Sequence, residues 1–152
     1  MQRLLDIFLA MLALLILSPL LLPIVILLRL TGEGEVLFLQ GRVGKGGKAF
    51  KLYKFATMLK NSPTIGTGTV TVKHDPRILP IGHFLRKSKV NELPQLLNIL
   101  KGDMSIVGPR PERQFFIEKI VARAPHFKHL QKIRPGITSW GQVKYGYAEN
   151  IE

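Results

Sequence analysis

At 152 residues, the chain has room for one compact domain and an attached segment. It carries 22 Lys and Arg against 10 Asp and Glu, a formal net charge of +12, and has no cysteine. That excludes a disulfide framework and thiolate chemistry. So basic a chain seeks an anionic partner (nucleic acid, an anionic lipid surface or phosphorylated small molecules) unless its surface is simply solvated.

The charge is unevenly distributed. From Ile7 to Leu28 there are 22 consecutive positions without a charged side chain, mostly Leu and Ile. Setting aside Arg3, Asp6 and Arg29 leaves 20 cationic and 9 acidic residues from Thr31 onward. The spacing predicts a membrane segment over 1–30 and a basic domain over 31–152. A signal peptide fits poorly, because the apolar run is too long and no small-x-small cleavage site precedes Arg29. As a straight helix the run would reach roughly 33 Å, enough to cross the hydrocarbon core. Pro19 and Pro23 interrupt it, leaving the Leu15 and Pro19 carbonyls without N–H partners. Ser18 can turn its hydroxyl onto a freed carbonyl. A break there leaves two arms too short to cross, so that Arg3 and Arg29 share the cytoplasmic side. The alternative is a spanning helix with a proline kink.

Glu35–Arg42 and Ala49–Phe55 read as strands of a β-hairpin, with Gly46-Gly47 at the turn. Alternation places Lys54 on the face of Phe50 and Leu52, where a lysine either snorkels from a core or reaches into a site. Asn61–Lys73 reads as a loop or weak strand. In Pro76–Lys89, apolar and cationic residues mix as in an interfacial amphipathic helix, or one covering a core. Asn91 is predicted to cap a helix whose first turn holds Glu92, Leu93 and Pro94 and which stops at Gly102. A further helix is predicted over Pro111–Ala124, and turns with short extended runs from Arg134 on.

Carboxylates are scarce: between Val36 and Pro111 there are only Asp75, Glu92 and Asp103. His126 and His129 are three apart but read as surface or packing residues, and no zinc spacing occurs. GRVGKGGK lacks the spacing of a phosphate loop. Glu92, at a predicted helix start, could hold Mg²⁺ or move a proton in phosphoryl transfer, or merely complement the helix dipole. Arg110, between two prolines, is either a phosphate clamp or a corner residue. Arg86 could add charge to the same site or lie on the surface.

RLLDI, the Ser18-Pro19 interruption, Gln40–Gly44, KLYKF, NELPQLLNILKGDMSIVGPRP and RPGITSWGQV together resemble the bacterial sugar transferase family, the monotopic polyprenyl-phosphate phosphoglycosyl transferases. The resemblance is collinear over nearly the whole chain. It implies an α+β fold: a re-entrant membrane helix plus a small basic cytoplasmic domain with a β-hairpin and interfacial helices. It also implies Mg²⁺ dependence and residence at the cytoplasmic face of a bacterial inner membrane. A nucleotide diphosphosugar and a polyprenyl phosphate are the implied substrates, membrane lipids are partners, nucleic acid is not, and a homo-oligomer is compatible. Lys54, Glu92 and Arg110 are implied to line the active site.

In most members an Asp–Glu pair opens the ELPQ motif and the Asp attacks the sugar-linked phosphate; here that position is Asn91. Ala56 stands where Arg or Lys is usual, and the family usually has a C-terminal segment beyond the one ending at Glu152. The Asn91 substitution raises a second expectation, a non-catalytic membrane-bound assembly platform. A membrane-tethered nucleic-acid binder is disfavoured by the lack of interleaved aromatics and base-reading motifs.

Overall fold

The computed structural model describes residues 1–31, 33–61, 71 and 74–146. Most of the Asn61–Lys73 segment, read above as a loop or weak strand, lies outside the described residues.

The apolar run forms one helix, α1 (Gln2–Thr31), long and apolar enough to cross a membrane by length and composition. The helix assignment runs through Pro19 and Pro23, which both lie inside it. The local chemistry is as expected, with the Ser18 hydroxyl donating to the Leu15 carbonyl at 2.8 Å and satisfying the group that Pro19 frees. Much of the helix stays exposed, including Leu4, Phe8, Leu15, Ile16, Leu22 and Ile26.

Strands β1 (Leu37–Val43) and β2 (Ala49–Phe55) pair as the expected hairpin. A single 3-10 turn, Lys45–Gly47, connects them, and Gly46 and Gly47 take the positive φ values of 70° and 77° that the reversal requires. Helices α2 (Pro80–Lys87), α3 (Gln95–Lys101), α4 (Gln114–Arg123) and α5 (Trp140–Tyr145) follow, with β3 (Ser105–Val107) pairing in parallel with β4 (Gly136–Thr138).

The chain divides into two compact units. The first contains Met1–Leu14, Gln40–Leu52 and the chain from Gln95. Its core gathers Ala10, Leu52, Leu96, Ile99 and Met104, so the N-terminal half of α1 is part of it. Two polar residues dock that half. Arg3 donates to the carbonyls of Ile99 and, at 2.9 Å, Leu100, at the carboxyl end of α3, where free carbonyls attract a cation. Asp6, buried in α1, accepts from the Ser105 hydroxyl at 2.6 Å and the Ile106 N–H at 3.3 Å.

Asn98 is the joint of this unit. Its side chain donates to the Lys51 carbonyl at 2.7 Å, and its own carbonyl takes the N–H groups of Gly102 and Asp103. Gly102 ends α3 with φ 96°, as expected. Gly108 and Gly136 bring the ends of β3 and β4 together; a Cβ on Gly108 would stand 2.8 Å from the Gly136 nitrogen. This approach sets the turn that carries Arg110.

The second unit contains Leu15–Leu39 and Tyr53–Pro94. Its core joins Ile24 and Leu28 of α1 to Phe55 and Leu85. Buried Asp75 closes a tight turn by accepting from the backbone N–H of Arg77 at 3.1 Å and its guanidinium Nε at 2.8 Å.

Three element assignments need correction. Asn91 does not cap α3: it lies inside a 3-10 turn, Val90–Glu92, and α3 starts only at Gln95. Pro94 is the cause. An Asn91 cap would need the N–H of Leu93 or residue 94, but Leu93 already donates to Val90 and proline has none to give. Glu92 is therefore not in the first turn of an α-helix. Helix α4 begins at Gln114 rather than Pro111, and the C-terminal run contains the unpredicted helix α5.

Candidate active site

Strand alternation brings Lys54 to Glu92 in the second unit, where Glu92 also acts on the charge of Arg86. Lys54, near the end of β2, does not snorkel to solvent: its ammonium lies 3.7 Å from the Glu92 carboxylate, with side-chain exposures of 17% and 21%. Both are thus partly desolvated but reachable. Arg86, on the last turn of α2, is partly buried and donates to the Thr57 hydroxyl at 3.3 Å. Burial lowers the Arg86 pKa from its ordinary value; attraction by Asp75 and Glu92 opposes this, and Arg77 adds repulsion. Glu92 and Asp75 thus both act on the Arg86 charge. The surface role considered for Arg86 does not hold.

Asn91 is buried, and its side-chain oxygen has no hydrogen-bond partner among the described residues. Such an orphan acceptor carries a desolvation cost of about 1–3 kcal/mol. Buried Ala56, where the resembled family carries a cation, gives its N–H to the Val36 carbonyl at 2.9 Å.

Arg110 belongs to the first unit. Its Nε lies 3.6 Å from Glu112, whose carboxylate also faces buried Arg42 at 3.5 Å. Arg42 in turn donates to the Pro111 carbonyl at 3.0 Å. The Arg110 side chain remains 35% exposed at an open cleft that Val43, Ile117 and Phe127 help line. Sequence reasoning missed Glu112, Arg42 and Thr57; of these only Arg42 sits in a quoted motif, Gln40–Gly44.

No group of three or more His, Cys, Asp or Glu that could hold a metal occurs among the described residues. Mg²⁺ rarely needs one: it takes one or two carboxylates and completes its shell with water and substrate phosphate. Glu92, partly exposed and flanked by cations that suit a polyphosphate, fits such a substrate-borne ion.

The model of the family described as bacterial sugar transferase matches residues 1–152. The chain belongs to the bacterial sugar transferase family. Among similar proteins, a UDP-N-acetylgalactosamine-undecaprenyl-phosphate N-acetylgalactosaminephosphotransferase of Aeromonas hydrophila is 41% identical over 99% of this chain. A putative undecaprenyl-phosphate N-acetylgalactosaminyl 1-phosphate transferase of Bacillus subtilis is 45% identical over 83% of it. A UDP-glucose:undecaprenyl-phosphate glucose-1-phosphate transferase of Escherichia coli is 39% identical over 94%. This sugar transferase chain spans 36% of the Aeromonas protein, 70% of the Bacillus protein and 31% of the E. coli protein. In the sugar transferase frame, Lys54, Arg86 and Glu92 form a mixed-charge site suited to phosphate chemistry.

Proposed function

We propose that this chain transfers a phosphosugar from a nucleotide diphosphosugar to a polyprenyl phosphate at the cytoplasmic face of the membrane, the step that starts glycan assembly. The observation that carries the proposal is the Lys54–Glu92 pair, whose carboxylate also acts on the charge of Arg86. Two cations and one partly exposed carboxylate match a diphosphate donor and an acid or metal ligand. The activities for which these relatives are named support the same reaction class.

In the overall reaction, an oxygen of the lipid phosphate ends bonded to the sugar-linked phosphorus. The bond from that phosphorus to the bridging oxygen breaks, and the nucleoside monophosphate leaves with it. Lys54 and Arg86 bind and orient the diphosphate, and Arg110 is proposed separately as a phosphate clamp. Glu92 either attacks the sugar-linked phosphorus itself or supports direct attack by the lipid phosphate. Asn91 is a carboxamide and a poor nucleophile, so the covalent route cannot run through it. Bound through Glu92, Mg²⁺ would compensate the charge of the transferred phosphate.

The topology we propose is re-entrant. Arg3 and Asp6 at the start of α1 are hydrogen-bonded to α3 and β3, and its end leads straight into β1. A helix crossing the bilayer would carry its first residues away from the polar chain that they bond here. These contacts support both ends lying on one face.

The test is release of nucleoside monophosphate by purified protein supplied with polyprenyl phosphate, Mg²⁺ and a panel of nucleotide sugars. Release that depends on both substrates is expected. None with any donor would leave the assembly-platform reading instead.

A further inference from the structure

Arg86 owes its place to an approach between α2 and the segment after β2. Gly82 is buried in the first turn of α2, and a Cβ there would collide with the Thr57 carbonyl oxygen and stand 3.0 Å from its carbon. The helix therefore rests on the Thr57 backbone with no side chain between them. Thr57 is itself fixed: its carbonyl accepts the Leu79 N–H at 2.9 Å, and the neighbouring residues Met58 and Ile78 form an antiparallel bridge. Arg86 lies four residues after Gly82 and thus on the same helix face. There its Nη1 donates to the Thr57 hydroxyl at 3.3 Å.

That hydroxyl is the one hydrogen-bond partner of Arg86 among the described residues. Its other N–H groups stay available for an incoming anion beside Lys54 and Glu92. A partly buried arginine with five donors and one fixed contact is oriented by that contact.

We propose that Thr57 is a positioning residue: its hydroxyl aims the Arg86 guanidinium at the diphosphate of the sugar donor, and Gly82 makes the reach geometrically available. The role rests on the phosphoglycosyl transferase reading and concerns donor affinity, not the lipid acceptor. Thr57 touches no reacting atom. The methyl of Thr57 fills space that valine fills equally, so its hydroxyl can be removed while its shape is kept.

The test is a cycle of Thr57→Val, Arg86→Ala and the double variant, with Thr57→Ser as the conservative control. KM for the nucleotide sugar and for polyprenyl phosphate are measured separately, and calorimetric binding of a nucleoside diphosphate with Mg²⁺ provides a readout without turnover. Thr57→Val is expected to raise donor KM and weaken nucleoside diphosphate binding about five- to tenfold. Acceptor KM and the melting temperature should stay near the parent. Thr57→Ser should remain within about twofold, and Thr57→Val should add nothing once Arg86 is alanine.

Additive effects, equal losses in Ser and Val variants, or donor and acceptor KM rising together with a lowered melting temperature would overturn the proposal in favour of packing. So would a Thr57→Val protein indistinguishable from the parent. If the parent itself neither binds nucleoside diphosphate nor releases monophosphate, the transferase reading fails, and this role fails with it.

Discussion

Replacing Asp6 with alanine removes the only acidic group of α1 and both hydrogen bonds that it accepts from Ser105 and Ile106. The carboxylate is 6% exposed, so water cannot readily substitute for it. A hydrogen bond to a charged group contributes about 1.5–3 kcal/mol and a neutral one about half that. The 2.6 Å contact with Ser105 belongs near the upper figure and the 3.3 Å contact with Ile106 well below it. Two donors are then left buried, while the cost of holding a carboxylate away from water is relieved. The net loss should be about 2–3 kcal/mol, and Asp6→Asn, which keeps one good acceptor, should lose about half of that. For a chain of this size that corresponds to a melting temperature about 5–10 °C lower for the alanine variant. Thermal unfolding in lipid nanodiscs, with Leu5→Ala at an exposed position as the control, measures it. An Asp6→Ala protein melting within a degree of the parent would refute the anchoring role and weaken the re-entrant topology built on it.

Cysteines introduced at Gln2 and Glu35 should both resist a membrane-impermeant reagent in intact cells, and labelling at Gln2 alone would mean a spanning helix. Glu92→Gln should lower turnover at least a thousandfold, roughly the scale of losing a positioned acid, base or metal ligand. Asn91→Ala should leave measurable activity, because the Asn91 oxygen has no hydrogen bond to lose among the described residues. Intact mass after incubation with nucleotide sugar alone separates the two Glu92 routes: an adduct absent from Glu92→Gln means covalent catalysis, and none with normal turnover means direct transfer. Arg110→Ala should raise donor KM about tenfold, and Arg110→Lys should restore it only in part because the planar fork is lost. Two variants that match the parent would make Arg110 a corner residue held by Glu112.

Features governed by neighbours in sequence were legible. The apolar run, the Gly46-Gly47 reversal, the Ser18 hydroxyl on the Leu15 carbonyl and the stop at Gly102 each depend on a few consecutive residues. Asn91 looked like a cap for the same local reason and was not one, because capping depends on which N–H groups lie downstream. Leu93 was already bonded and residue 94 was proline. Helix α5 was missed although Ser139 caps it by accepting the Gln142 N–H at 3.2 Å, a signal hidden among turn-like residues.

The site itself was legible only as separate suspects, since its contacts are long-range. Lys54 meets Glu92 across 38 positions and Arg86 meets Thr57 across 29. The most recognisable stretch, NILKGDMSIVGPRP, largely builds the support. Asn98 gathers three backbone segments, Gly102 ends α3, Ser105 receives Asp6, and Gly108 admits β4. Gly102 is constrained by its positive φ, Gly108 by the backbone that crowds it, and Asn98 and Ser105 by burial with their hydrogen bonds. Lys54, Arg86 and Glu92 come from three short stretches whose charges would pass unnoticed alone. Their proximity follows from Gly82 seating α2 on Thr57 and from the 3-10 turn that presents Glu92 before α3 begins. Moving either support by a helical turn would separate the charges without changing one charged residue, so the chemistry depends as much on Gly82 and Pro94 as on the ionisable groups.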